Sequence, residues 1–136
     1  TNYKEQFALN FRQNGGKLME FYSFAKQHGR NITQYDSNFI ISRLALTETR
    51  AAISCMYLEE NGIIGYHEAT VNQILYVVQG ECDVCNEQKQ YKTLRAGDAV
   101  FWEKGEWHET KTTTGVTAIV IEGEALSPKY LTKLEN

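Results

Sequence analysis

From Phe39 to Gly123 the chain is cut by turn residues into short runs rich in β-branched and aromatic side chains, a spacing that leaves room for little besides an antiparallel all-β fold. FIISRLAL and AAISCMYL are separated by Thr47-Glu48-Thr49, and Asn61-Gly62 ends the second run. GECDVC, QYKTL, DAVFW, WHETKT and VTAIVIEG follow, punctuated at Asn86-Glu87, Ala96-Gly97, Lys104-Gly105 and Thr114-Gly115. The 136 residues suffice for one core. The only predicted helix is short and C-terminal: Ser127-Pro128 reads as an N-cap with proline in the first helical position, opening PKYLTKLEN.

The stretch GYHEATVNQILYVVQG, residues 65–80, carries the most chemistry. Read as one strand closed by a glycine turn, it puts His67, Ala69, Val71, Gln73, Leu75 and Val77 on an inward face and Glu68, Thr70, Asn72, Ile74 and Tyr76 on the other. Polar groups on an inward face need hydrogen bonds or coordination, which makes His67 and Gln73 candidate site residues.

The remaining signals are weaker. Before Asn14-Gly15-Gly16, alternating Phe7, Leu9 and Phe11 favour an edge strand over an amphipathic helix, and residues 1–18 are expected to form an arm ahead of a single domain at 19–136. Met19 could equally be a natural start. His28, beside Gly29 and Asn31, is expected on an exposed loop. Arg43 or Arg50 could reach a pocket and bind an anion, although a surface charge is the simpler expectation. Glu103, Glu106 and Glu109 crowd the His108 turn, where one could reach a pocket mouth although a solvated acidic loop is the simpler expectation, and Tyr57, Tyr66, Tyr76, Trp102 and Trp107 are as well explained by core and interface packing as by substrate stacking. Val100 and Trp102 are expected to form an apolar interior wall.

Cys82-x-x-Cys85 invites redox or zinc chemistry, but residues three apart on a strand face opposite sides, and the odd total of three cysteines suits a reducing compartment. A net charge of -3, no apolar run of bilayer-spanning length and no apolar leader core argue for a cytoplasmic protein without nucleic-acid or membrane partners.

Two glycine-framed segments together resemble the paired motifs of the cupin superfamily. Motif one, G(X)5HXH(X)3,4E(X)6G, is matched within residues 62–80 by His67, Ala69, Gln73 and Gly80, with Ala69 in place of the second histidine and Gln73 in place of the glutamate. Motif two, G(X)5PXG(X)2H(X)3N, is matched over residues 97–112 by Gly97, Gly105 and His108, with Glu103 and Thr112 in place of proline and asparagine. Only residues 81–96 separate the motifs, as in small bacterial members.

The resemblance implies a jelly-roll β-barrel with both motifs at its mouth, commonly as a homodimer. It also implies a metal site at His67, Gln73 and His108. Losing the carboxylate weakens any divalent site and favours imidazole-binding ions such as Zn, Ni, Fe or Mn over Mg or Ca. The expected function is binding of such an ion and action on a small organic molecule by oxygenase, isomerase or lyase chemistry. The alternative is a metal-free module that binds or senses a small molecule in the same barrel.

Overall fold

A computed structural model describes residues 2, 3, 5, 6 and 18–134. Its strands are β1 (Glu20–Ser23), β2 (Arg30–Ile32), β3 (Phe39–Ile41), β4 (Ala52–Leu58), β5 (Ile63–Glu68), β6 (Asn72–Cys85), β7 (Lys92–Arg95), β8 (Asp98–Trp102), β9 (Trp107–Lys111), β10 (Val116–Gly123) and β11 (Thr132–Lys133). Every pairing is antiparallel. No helix among the described residues is long and apolar enough to cross a membrane.

The organising element is β6. Its first half lies between β8 and β10, its second half between β7 and β9, so nine strands form one connected sheet that turns over at the middle of β6. At that point Thr117 pairs with Gln79 and Ala118 with Val77, leaving Val78 as an extra residue, and Gly80 follows with φ +81°. Such a bulge bends a strand and sharpens its twist. The predicted glycine turn after Gln79 is therefore a bulge inside one 14-residue strand.

The main core lies between the two halves: Phe21, Leu75, Val77, Val100, Trp102 and Val120 from one side meet Cys82, Val84 and Leu94 from the other. A second cluster, including Tyr22, Ile74, Tyr76, Phe101 and Leu131, buries the outer face of the first half. Ile74 and Tyr76 thus point away from the core, as alternation requires, yet are sealed by the segment around Leu44, whose carbonyl accepts the Tyr76 hydroxyl at 2.7 Å. Val100 and Trp102 form part of the interior wall as expected.

Other expectations need correction. The stretch read as one strand is two, β5 and β6, broken at Ala69–Val71. The predicted barrel does not close among the described strands, because β11 and β4 end the sheet without a further partner. Among the described residues no helix follows Ser127-Pro128. Leu131 N–H bonds the Pro128 carbonyl in a tight turn, Leu131 enters the outer cluster, and Thr132 and Lys133 pair with β1. So short a helix has little stability of its own, and leucine burial with strand pairing outweighs it.

At the N-terminus, Tyr3, Glu5 and Gln6 are helical rather than extended, with the Asn2 side chain accepting from Glu5 N–H at 2.8 Å. Phe7, Leu9, Phe11 and the glycine pair lie outside the described residues. Cys82 and Cys85 are free and both buried, and burial pushes the Cys82 thiol up to about 12, which leaves it unreactive.

Candidate functional site

The two motif histidines meet directly: His67 on β5 is the cross-strand partner of His108 on β9, and their rings lie 4.5 Å apart. A bulge at Gly65–Tyr66 helps set this register, since β5 takes three steps from Ile64 to His67 while β9 takes two from Thr110 to His108. His67 is exposed at the mouth, whereas the sequence suggested an inward position; His108 is buried at 2% exposure.

Each imidazole is held in the same way. Nδ1 of His67 lies 2.6 Å from the Gly65 carbonyl, and Nδ1 of His108 lies 3.2 Å from the Glu106 carbonyl. A carbonyl only accepts, so both Nδ1 atoms carry the proton and both Nε2 atoms keep a free lone pair. This tautomer suits Nε2 coordination of a metal or acceptance of a ligand proton. Burial holds His108 down to about 4, so its ring is neutral at neutral pH.

Behind His108 the Trp102 ring stacks at a centroid distance of 4.2 Å. Gln73 on β6 is the cross-strand partner of Trp102, and opposed residues share a face. Gln73 is thus linked to the histidine pair through Trp102, and all but His67 are buried. Trp102 Nε1 is a buried donor with no acceptor among the described residues. Ala69 is buried, and its N–H and carbonyl bond the Glu106 carbonyl at 2.9 Å and the Gly105 N–H at 2.7 Å, clipping the motif-two turn to the end of β5.

Sequence reasoning missed Glu106. Far from solvated, it is 0% exposed, accepting from Asn86 Nδ2 at 2.8 Å and from the Glu103 N–H at 3.1 Å. Burial pushes its carboxyl up to about 7, against the lowering effect of these hydrogen bonds. The signal was available: Glu106, His108, Thr110 and Thr112 are all buried, so the two-residue repeat that turned His108 inward turned Glu106 inward as well.

The pair has opposite pH linkage. Glu106 titrates higher folded than its ordinary 4.5, so its stabilising contribution is complete below pH 4.5 and is lost as pH rises to about 7. His108 titrates lower than its ordinary 6.5, so its contribution is complete above pH 6.5 and is lost as pH falls through about 4. Each is worth on the order of 3 kcal/mol, so they offset one another between these limits. In Glu106→Gln the offset is removed: urea unfolding with chelator present should show stability falling by a few kcal/mol from pH 6.5 to 4. A variant whose pH profile matches that of the unaltered protein would refute the assignment.

Among the described residues no cluster of three His, Cys, Asp or Glu side chains could hold a metal ion. A site here would have two imidazoles and one amide oxygen, and those donors suit borderline transition metals.

An antiparallel sheet folded around an apolar core, with paired histidines at its rim, defines a small β-sandwich. Residues 55–125 match the family described as Cupin domain, and the chain belongs to that family. Among solved structures it resembles a cupin superfamily protein from Desulfitobacterium hafniense, at 18% identity and TM-score 0.51 over 57% of this chain and 72% of that one. An RmlC-like cupin from Shewanella frigidimarina aligns at 25% identity and TM-score 0.51 over 55% of this chain and 67% of that one. An uncharacterized double-stranded β-helix protein from Klebsiella pneumoniae aligns at 15% identity and TM-score 0.50, covering 66% and 82%. No curated protein matches the chain.

Proposed function

We propose that this cupin binds a divalent transition metal through Nε2 of His67, Nε2 of His108 and the side-chain oxygen of Gln73, and presents it to a small organic molecule in the sheet-lined interior. The carrying observation is the shared tautomer: two neighbouring imidazoles, each with Nδ1 committed to a carbonyl, leave two ligand lone pairs on adjacent strands. When bound, the ion would supply Lewis acidity toward a substrate oxygen. Trp102 N–H would donate to an acceptor on the ligand, and the surrounding Leu75, Val77 and Val100 would exclude water. The chemistry would be of oxygenase, isomerase or lyase type, in a cytoplasmic homodimer; the unpaired edge of β4, with Ile53 and Tyr57 exposed, supports the dimer.

Titration of chelator-treated protein with Zn or Ni should give one ion per chain. Gln73→Glu, which returns a carboxylate, should tighten that binding by about tenfold or more. No uptake by either protein would overturn the proposal.

A second reading, a metal-free binding module, is favoured by the absence of a third His, Cys, Asp or Glu ligand among the described residues and by the unpartnered Trp102 N–H. It requires ligand-dependent thermal stabilisation that survives chelator.

A further inference from the structure

A second cavity, of about 300 Å³, lies away from the histidine pair, between the end of β1, the β2–β3 hairpin and the C-terminal turn. Arg30, Arg43, His28, Ser42, Thr132 and Tyr130 are among the residues that line it, and no Asp or Glu does. In a chain of net charge -3 it is a basic island. Neither guanidinium pairs with a carboxylate of a described residue. Arg43 instead rests over the Tyr130 ring, 5.6 Å from its centroid.

The arrangement is built into the backbone. Gly29 has an ordinary φ of -82°, so it is not required for a left-handed turn. A Cβ there would instead lie 2.5 Å from Ile40 Cγ2 and 3.0 Å from both the Ile41 carbonyl and Ser42 Oγ. Only glycine allows this approach, and it holds its neighbours His28 and Arg30 beside Ile41–Arg43. His28 is fixed further by Nδ1 at 2.9 Å from Ser23 Oγ, which also accepts the Ala25 N–H at 3.1 Å.

We propose that this cavity binds a small organic oxyanion, a phosphorylated or carboxylated molecule with an aromatic or aliphatic body. Two unpaired guanidiniums at one cavity repel each other, and a shared oxyanion removes that repulsion while accepting forked hydrogen bonds. The Ser42 and Thr132 hydroxyls are available as further donors, while Phe24, Leu131 and the Tyr130 ring supply the apolar wall. The volume suits a ligand at the small end of the usual range. Of the two arginines singled out from the sequence, Arg43 lines this cavity and Arg50 does not.

Calorimetry at low salt with phenyl phosphate and with benzoate tests the proposal, with benzyl alcohol as the neutral control and inorganic phosphate as the control without a body. At least one organic anion should bind with a dissociation constant of roughly 1 mM or tighter and shift the amide resonances of Ser42, Arg43 and Thr132. Arg30→Met and Arg43→Met should each weaken it by about tenfold, and added salt should weaken it further. Lys111→Met, which is outside the cavity, and His67→Ala should leave it unchanged, keeping this result separate from that of the metal titration. Equal binding by benzyl alcohol, equally tight inorganic phosphate, no binding by either organic anion, or full affinity in the double arginine variant would each overturn the proposal.

Discussion

Gly80→Val should destabilise the protein by about 3 kcal/mol or more, enough to populate unfolded chains in a marginally stable domain. Two independent costs add. The backbone at φ +81° disfavours any side chain, and a Cβ would lie within van der Waals overlap of the Gly115 carbonyl, a backbone atom that cannot swing away. Two other glycines separate the terms. Gly115 has φ +114° with only the Leu58 carbonyl nearby, at 3.5 Å, so Gly115→Ala bears the conformational cost alone. Gly65 has no atom within 4 Å and an ordinary φ, so Gly65→Ala should change stability by no more than about 0.5 kcal/mol. Urea midpoints for the three variants should fall in that order. A Gly80→Val protein within about 1 kcal/mol of the parent would mean that the bulge is not where the two halves of the sheet are joined.

His108→Ala should both abolish metal uptake and cost about 2–4 kcal/mol of stability. The ring is buried and stacked on Trp102, so its removal leaves a void against the indole and leaves the Glu106 carbonyl without one of its donors. His67→Ala should abolish uptake at little cost in stability, because that ring is exposed. The contrast separates a ligand from a packing residue. Metal analysis of the two purified variants, beside their unfolding curves, reads both effects. Retention of an ion by His108→Ala at the parental affinity would remove this residue from the site.

The strand runs were legible because turn residues mark their ends: DAVFW, WHETKT and VTAIVIEG correspond to β8, β9 and β10. Pairing of His67 with His108 could be expected from two motifs in register, and the structure brings those rings together. What escaped was long-range. Nothing local says that Gly80 continues a strand, since a φ of +81° serves a bulge as readily as a turn. Nor does local sequence show that Ile74 and Tyr76 would be covered by the segment around Leu44, or that Leu131 would favour the outer cluster over a helix. Glu106 escaped for another reason: acidic residues were assigned to solvent by type, against the parity that placed His108 inside.

β6 carries a consequence for access. As one continuous strand in both halves of the sheet, it gives them no hinge, and they cannot part like a clamshell without breaking the ladders on both of its sides. β5 is held more loosely: among the described strands it pairs with β9 alone, and the Ala69 clip fastens its end. The strand that carries His67 is therefore a flap fastened along one side. Lifting it would draw His67 away from His108, so a movement that uncovered the interior would also take the proposed rim site apart, and entry and coordination would become successive events.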